Sequence, residues 1–307
     1  MIREMNVDCR EPVVLMGTEL VYCQLPFWCN ASFRPLTMSL LRVRSYFDFD
    51  PPATKQPVIV FLCGGGWAAT DPDVWMPEMT FFAKNGFAVA SVRYSVSGER
   101  RFPSQIIEIR QAIRYLRAHA DELRIDPDRI AIMGESGGGH LAAITALSSE
   151  RSEFDNNEYS EYSSAVSCAV IYYAPVDILD REGRGDIASY RDRPQYSRRG
   201  SIPTQELLLW ETDLASKQTI AKTADPRSYI TSDSPPFLLL YGTGDIRVPI
   251  HNGDAFYDEL VKAGVPVDYL RFHGARHGGA EFFQQETKQI VLDFLCSHLP
   301  RKNGREG

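Results

Sequence analysis

Gly134-Glu135-Ser136-Gly137-Gly138 follows the apolar segment 129–133 and precedes a segment of helical character at 140–147. This G-x-S-x-G pattern predicts a tight strand-to-helix turn, because side chains at the flanking glycines would collide with the neighbouring strand and helix. Ser136 then projects from the top of the sheet as a candidate nucleophile. The N–H of Gly137, at the start of the helix, can face a developing negative oxygen. The alternative is a glycine-rich turn without chemistry, but the strand before it and the helix after it favour the nucleophile.

Apolar runs alternate with helical segments on both sides of this turn. The runs are continuous and apolar, as in strands that are covered on both faces of a parallel sheet, and they lie at 57–63, 87–92, 165–173, 237–241 and 267–272. Segments of helical spacing or capping lie between and after them at 77–85, 106–120, 254–263 and 281–299. The alternation predicts an α/β fold, a doubly wound and mostly parallel sheet of about eight strands.

Two parts of the chain do not follow this alternation. Segments 13–15, 20–22 and 36–46 predict an antiparallel hairpin or meander before the parallel strands. Residues 178–230 are rich in Arg, Asp and Gly and predict a small cap-like excursion over the sheet. We therefore expect a single domain over residues 1–307, with the excursion as an insertion within it.

Composition narrows the class of protein. A chain of 307 residues with a net charge of −7 lacks the basic face that nucleic-acid binding needs. No apolar run approaches the ~18 residues of a membrane helix. The six cysteines include no C-x-x-C pair, so neither zinc nor a disulfide scaffold is indicated. The first residues lack the apolar stretch of a signal peptide, and a cytoplasmic location is expected.

A nucleophilic serine needs a histidine base that a third group orients. His277 lies in a glycine-containing loop between the last strand and the last helix, so we assign it as general base and acid. Asp245 follows the strand at 237–241 and can hold the other imidazole nitrogen. The order Ser, Asp, His along the chain matches that of hydrolases whose nucleophile lies in a G-x-S-x-G turn. His273 and Asp177 are the competing base and acid. We interpret His273 as a packing or hydrogen-bonding residue and Asp177 as a helix cap.

A second glycine-rich turn, Cys63-Gly64-Gly65-Gly66-Trp67, follows the strand at 57–63. Glycines allow backbone N–H groups to approach an acyl oxygen, so this loop is the candidate second half of an oxyanion hole. A phosphate-binding loop is the alternative, but the lysine and the glycine spacing that such loops require are absent. Cys63 as nucleophile is a third hypothesis, and no base lies near it in the sequence.

These segments together resemble the α/β-hydrolase family and, more narrowly, bacterial acetyl and feruloyl esterases, neighbours of the hormone-sensitive-lipase-type esterases. The resemblance covers about residues 56–148 and 225–298. It also includes the segments Tyr94-Ser95-Val96-Ser97-Gly98-Glu99, Phe102-Pro103, Ile125-Asp126-Pro127-Asp128-Arg129-Ile130 and Ser234-Pro235-Pro236-Phe237. It implies a triad of Ser136, Asp245 and His277, oxyanion donors at Gly65, Gly66 and Gly137, and substrate contacts from Trp67 and Glu135.

Two positions depart from that family. Its glycine loop usually opens with a histidine that braces the loop, whereas this chain has Cys63, and a thiol is a weak hydrogen-bond partner. We therefore expect the brace to come from elsewhere or the hole to be looser. That family usually has alanine at the position of Gly138, and glycine there adds backbone freedom.

The resemblance implies a serine carboxylesterase that acts on short-chain or aromatic acyl esters, expected to be esters of carbohydrates, without a metal or an organic cofactor. The expected partner is a small-molecule ester, and neither nucleic acid nor membrane is expected. Aromatic side chains that could line an acyl or sugar pocket, or simply pack, are Trp67, Trp75, Trp210, Tyr172, Tyr173 and Tyr190. A serine peptidase of the same fold and a non-catalytic binding protein are the alternatives, and Cys63 favours the second.

Overall fold

The computed structural model describes residues 1–8, 10–27, 29, 31–44, 55–179, 208–210 and 217–299. The strands of this part of the chain are β1 (Val14–Phe27), β2 (Ser32–Val43), β3 (Gln56–Leu62), β4 (Ala88–Val92), β5 (Ile125–Glu135), β6 (Cys168–Tyr172), β7 (Phe237–Gly242) and β8 (Val267–Phe272). Its α-helices are α1 (Met76–Lys84), α2 (Ser104–Ala118), α3 (Ala120–Leu123), α4 (Ser136–Leu147), α5 (Gln218–Thr223), α6 (His251–Lys262) and α7 (Gln285–His298).

One sheet contains all eight of these strands, in the order β1-β2-β4-β3-β5-β6-β7-β8. β1 pairs antiparallel with β2, and β2 pairs antiparallel with β4. Every other neighbouring pair is parallel. The prediction of a mostly parallel, eight-stranded sheet with an antiparallel N-terminal hairpin is therefore confirmed.

The central strands are buried on both faces. All residues of β4, β6 and β7 are buried, and β3 is buried from Pro57 onwards. This burial explains why these strands appear in the sequence as continuous apolar runs without alternation.

The N-terminal strand differs from the sequence prediction in one respect. Segments 13–15 and 20–22 belong to a single long strand, β1, whose register against β2 shifts between Gly17 and Leu20 and again between Val21 and Cys23. These irregularities interrupt the alternation of apolar residues, so that one strand has the appearance of two. The hairpin lies between β1 and β2.

The topology brings four loops to one edge of the sheet. Parallel neighbouring strands end at the same edge, where binding sites of open α/β sheets form. The glycine loop follows β3, Ser136 follows β5, Asp245 follows β7 and His277 follows β8. Residues far apart in the sequence therefore converge at the carboxyl ends of the parallel strands.

Most of the predicted excursion at 178–230 lies outside the described residues, so the single domain and its cap-like insertion remain predictions. The described part of the excursion consists of residues 178–179, 208–210 and 217–230, including α5 and a 3-10 turn at Pro226–Tyr229. Within the described part of the chain, no helix combines the length and the apolar character needed to cross a bilayer.

Candidate active site

The serine turn has the strained geometry that the sequence predicts. β5 ends at Glu135, α4 begins at Ser136, and Ser136 has a φ of +52°, in the left-handed region. A Cβ on Gly134 would lie 2.6 Å from the carbonyl oxygen of Gly138. Only glycine allows this close approach of two backbone segments.

Gly138 is closer still to its neighbours. A Cβ at this position would lie 2.2 Å from the carbonyl oxygen of Leu62 and 2.6 Å from that of Cys63. The alanine that the resemblance implies for the family at this position would not fit this chain, because the end of β3 occupies the space. At Gly137 a Cβ would be 3.1 Å from its nearest neighbour, the backbone nitrogen of Trp67, so a methyl group there requires a much smaller shift than at Gly138.

The structure brings Ser136, His277 and Asp245 together. The Oγ of Ser136 lies 2.9 Å from Nε2 of His277, and Nδ1 of His277 lies 2.7 Å from Oδ2 of Asp245. Both distances are those of hydrogen bonds. With Nδ1 donating to the carboxylate, Nε2 is the free acceptor for the serine hydroxyl. This is the geometry of a nucleophile, a base and an orienting acid.

Asp245 is fixed from a second direction. Its Oδ1 accepts hydrogen bonds from the backbone N–H groups of Arg247 (2.8 Å) and Val248 (3.0 Å), and its side chain is 1% exposed. The carboxylate therefore has little freedom to leave the imidazole. The edge of His277 also packs against the ring of Tyr173, with 4.8 Å between the ring centroids.

The competing base and acid occupy other places. His273 is exposed directly after β8. Asp177 accepts a hydrogen bond from the N–H of Leu179 at 2.8 Å and pairs with Arg227 at 3.0 Å. The structure thus places Asp177 in a local turn and an ion pair, and Asp245 beside the imidazole.

The glycine loop turns back on itself beside the serine. Gly65, Gly66 and Trp67 have positive φ values of 126°, 60° and 60°. The backbone nitrogens of Trp67 and Gly66 lie 3.1 and 3.4 Å from the point that a Cβ of Gly137 would occupy. The nitrogen of Gly65 is not among the three atoms nearest to that point.

These positions define a cluster of candidate oxyanion donors. Within the described residues, no acceptor is found for the N–H groups of Gly66, Trp67 and Gly137. Unpaired backbone donors that face one point are what an oxyanion hole requires. The predicted donors Gly65, Gly66 and Gly137 stay predictions, and the position of the Trp67 nitrogen beside Gly137 adds it as a further candidate, which the count of glycines in the sequence did not show.

A carboxylate supplies the brace that the histidine of related loops would give. Oε1 of Glu135 accepts a hydrogen bond of 2.5 Å from the N–H of Gly64 and one of 3.2 Å from the indole of Trp75. Burial raises the pKa of Glu135, and the hydrogen bond from Gly64 opposes this shift. The thiol of Cys63 lies 3.8 Å from the same oxygen. The bond that fixes the loop therefore comes from the residue before the nucleophile.

Two further side chains hold the loop by its carbonyl groups. The hydroxyl of Tyr94 donates to the carbonyl of Cys63 at 2.6 Å. The N–H and the hydroxyl of Ser97 both donate to the carbonyl of Trp67, at 2.7 and 2.9 Å. The sequence could have indicated both contacts. Tyr94 and Ser97 follow β4, which is the parallel neighbour of β3, so their loop must lie beside the glycine loop.

Cys63 itself is not arranged as a nucleophile. Burial, and then the nearby charge of Glu135, raise the pKa of its thiol to about 12. A thiol becomes nucleophilic as its thiolate, and these surroundings disfavour that form. The structure thus gives no support to Cys63 as an alternative to Ser136.

Trp67 and Glu135 do not have the positions expected of substrate contacts. The side chain of Trp67 is buried, with 2% exposure, and its indole donates to Nδ1 of His140 at 3.2 Å. Glu135 is occupied by the glycine loop and Trp75. The two side chains support the loop from behind, and this geometry gives no support to either of them as a substrate contact.

His140 continues this support toward the excursion. It is fully buried, and its Nε2 contacts the carbonyl oxygen of Ala224 at 2.6 Å, while Nδ1 accepts from Trp67. Burial lowers the pKa of His140 to about 4. The ring is therefore neutral, with its proton on Nε2.

The aromatic residues separate into buried and accessible groups. Tyr172 and Tyr173 are buried, and Trp75 stacks on Phe283 with 4.3 Å between ring centroids. Trp210 is half exposed, and Tyr190 lies outside the described residues. For the described ranges, no cluster of three or more His, Cys, Asp or Glu side chains could hold a metal ion.

A hydrogen-bonded Ser-His-Asp set at the carboxyl edge of a mostly parallel sheet defines a protein of the α/β-hydrolase fold. A family model described as BD-FAE matches residues 49–260, and the chain belongs to this family.

Named relatives agree with this assignment. The chain is 28% identical over 259 residues to "Esterase LipQ" of Mycobacterium tuberculosis, an alignment that covers 82% of this chain and 58% of LipQ. It is 30% identical over 265 residues to "Ethyl acetate hydrolase" of Pseudomonas putida, covering 81% of this chain and 76% of that protein. The chain thus spans little more than half the length of LipQ.

Among solved structures, esterase Est2 of Thermogutta terrifontis with butyrate bound is similar, with a TM-score of 0.70 and 27% identity. The superposition covers 93% of this chain and 96% of Est2. The similarity therefore extends over nearly the whole of both chains.

Proposed function

We propose that this chain is a serine carboxylesterase that hydrolyses short-chain or aromatic acyl esters through an acyl-enzyme. The single observation that carries the proposal is the 2.9 Å contact between Oγ of Ser136 and Nε2 of His277, with Asp245 at 2.7 Å behind the imidazole. A serine hydroxyl is a poor nucleophile unless a base removes its proton as it attacks.

In the first half of the reaction, Oγ of Ser136 attacks the ester carbonyl carbon while Nε2 of His277 takes the hydroxyl proton. The carbonyl oxygen becomes negative and accepts hydrogen bonds from the N–H groups of Gly66, Trp67 and Gly137. Such preorganised donors stabilise the transition state by about 3 kcal/mol for each donor. The C–O bond to the alcohol then breaks, and the imidazolium gives its proton to the leaving oxygen.

In the second half, water attacks the acyl-serine while His277 accepts a proton from the water. The carboxylic acid leaves, Ser136 recovers its proton from the imidazolium, and the chain is ready for another ester. Every group in both steps is a group of the chain, the ester or water, so the proposed reaction needs no metal or organic cofactor.

The substrate is a small-molecule ester. The likeness to an ethyl acetate hydrolase and to an esterase that binds butyrate supports a short acyl group. The expectation of an acylated carbohydrate rests on the resemblance to acetyl and feruloyl esterases. The proposal also includes esters with an aromatic acyl group, as in a feruloyl ester.

The non-catalytic alternative rested on Cys63, which left the glycine loop without its usual brace. The hydrogen bond from Gly64 to Glu135 supplies a brace, which removes the reason for preferring a binding protein. No specific contact of the described residues favours a peptidase.

A fluorophosphonate probe tests the proposal directly, because it labels only an activated serine. We expect labelling of the wild-type chain and none of Ser136→Ala, together with hydrolysis of ethyl acetate, acetylated xyloside or methyl ferulate by the wild type alone. Equal labelling of both proteins, or hydrolysis by a folded Ser136→Ala variant, would reject Ser136 as nucleophile. An unlabelled and inactive wild type would favour the non-catalytic alternative.

A further inference from the structure

Trp210 stands out among the tryptophans that the structure describes. It is 53% exposed, whereas Trp67 is 2% exposed and Trp75 is partly buried. The two preceding residues, Leu208 and Leu209, are buried, and the carbonyl of Leu208 accepts a hydrogen bond of 2.9 Å from the N–H of Phe102. The backbone before Trp210 is thus docked on the protein, while the indole itself remains largely in water.

The orientation of this indole is fixed. Its Nε1 donates a hydrogen bond of 2.6 Å to the carbonyl oxygen of Ser97. Trp210 also has a φ of +50°, in the left-handed region that costs free energy for any residue other than glycine. The backbone strain and the hydrogen bond hold the ring in a fixed position, yet the ring stays in water. Packing alone does not explain this arrangement, because packing would bury the ring.

One residue, Ser97, links the indole to Trp67, whose backbone is among the candidate oxyanion donors. Ser97, which accepts from Trp210, donates both its N–H and its hydroxyl to the carbonyl of Trp67. The backbone nitrogen of Trp67 lies 3.1 Å from the Cβ position of Gly137, the residue after the nucleophile. Trp210 is therefore linked to the glycine loop through Ser97.

The chemistry of the ring and its exposure indicate which part of an ester it meets. The acyl group bonds covalently to Ser136 and remains for two steps, whereas the alcohol must depart toward water. A half-exposed ring that is linked to the glycine loop suits the departing half. Because the N–H of Trp210 is already bonded, the ring offers only its flat apolar face, which matches the C–H face of a sugar ring.

We propose that Trp210 is a specificity-determining residue, a stacking platform for the sugar ring of the alcohol half of the substrate. The inference rests on the proposed esterase function and adds the residue that would recognise the carbohydrate. It also gives Ser97 the role of aligning the platform with the donors of the glycine loop.

The test compares Trp210→Ala and Trp210→Phe with the wild type on three esters: an acetylated xyloside, ethyl acetate and methyl ferulate. For Trp210→Ala we expect kcat/KM on the xyloside to fall about tenfold, mainly through KM, since one aromatic stacking contact has that magnitude. Ethyl acetate has no ring in its alcohol and should be turned over as before. Trp210→Phe keeps a ring but loses the bond to Ser97, so its kcat/KM on the xyloside should lie between those of the wild type and Trp210→Ala.

Phe33→Ala removes an aromatic side chain that is 62% exposed on β2 and serves as the matched control.

The other outcomes overturn the platform. An equal loss of kcat/KM on the xyloside and on ethyl acetate would show that Trp210 has a structural role. An unchanged kcat/KM on both esters would show that Trp210 takes no part in the reaction. A loss on methyl ferulate alone would place the ring on the acyl side. The affinity of Ser136→Ala for the acetylated xyloside, compared with that of the double variant that also carries Trp210→Ala, measures the stacking contact without turnover. A tenfold weaker binding in the double variant therefore supports the platform, and unchanged binding rejects it, even if the hydrolysis itself fails.

Discussion

Glu135 and Gly64, which are 71 residues apart in the sequence, are joined by a hydrogen bond of 2.5 Å from the backbone N–H of Gly64 to Oε1 of Glu135. The bond links the end of β5, directly before the turn with Ser136 and Gly137, to the loop after β3. The turn and the loop both contribute candidate oxyanion donors. The same oxygen accepts from the indole of Trp75 at 3.2 Å. One carboxylate thus sets the distance between the nucleophile turn and the glycine loop.

Replacing Glu135 should therefore lower kcat more than it raises KM. In Glu135→Ala the N–H groups of Gly64 and Trp75 lose their acceptor and the loop can move away from Ser136, so we expect kcat on ethyl acetate to fall about 10- to 100-fold. Glu135→Gln retains an amide oxygen that can accept from Gly64, and its kcat should fall less than about tenfold. Steady-state kinetics on both variants measure the difference.

Circular dichroism and urea unfolding of the same two proteins control for damage to the fold. A wild-type kcat in folded Glu135→Ala would show that the loop keeps its position without this carboxylate. A loss that appears only in KM would mean that Glu135 contacts the substrate.

The acid of the triad gives a second prediction. In Asp245→Asn the remaining oxygen can still accept from Arg247 and Val248, and the new amide would present N–H groups to Nδ1 of His277. The imidazole must then carry its proton on Nε2, which is the wrong tautomer for a base that accepts from Ser136. We expect kcat to fall about 10³- to 10⁴-fold with little change in the free energy of unfolding. Retention of a tenth of the wild-type kcat would exclude Asp245 from this role.

The sequence was sufficient for the sheet and for the meeting of Ser136, Asp245 and His277. Each of these residues follows a recognisable buried strand, and parallel strands end at one edge, so local pattern and topology together place them. The role of Glu135 could not be predicted in this way. Its hydrogen bond to Gly64 joins two segments that are 71 residues apart, and such a contact has no local pattern in the sequence.

The same limit applies to the glycines. The sequence shows three consecutive glycines, Gly137, Gly138 and Gly139, but only packing shows which of them touches β3. Likewise, the register shifts of β1 are determined by its pairing with β2, so β1 appeared to be two segments.

Alanine substitutions at Gly137 and Gly138 form a matched pair that tests this packing. Both add one methyl group to the same helix turn. At Gly138 the methyl would lie 2.2 Å from the carbonyl oxygen of Leu62, so the backbone of α4 or β3 must move, and we expect a loss of about 3 kcal/mol or more in the free energy of unfolding. At Gly137 the nearest atom is 3.1 Å away, and the higher helix propensity of alanine offsets mild crowding, for a net change within about 1 kcal/mol. Urea unfolding measures both values, and equal losses would contradict the predicted asymmetry.

His140 predicts how stability responds to acid. Burial lowers the pKa of its imidazole to about 4 in the folded chain, whereas an unfolded histidine titrates near pH ~6.5. Between these two values the unfolded state binds more protons, so the free energy of unfolding should fall as the pH is lowered from about 6.5 to about 4, by about 3 kcal/mol in total. Protonation would also break the hydrogen bond from the indole of Trp67 to Nδ1 of His140, which supports the glycine loop from behind.

Urea unfolding of the wild type and His140→Gln across this range isolates the effect, because the variant lacks the titrating group. The difference in the free energy of unfolding between the wild type and the variant should decrease by about the same amount as the pH is lowered. Two curves that stay parallel from pH 7 to pH 4.5 would mean that His140 takes up its proton equally in both states.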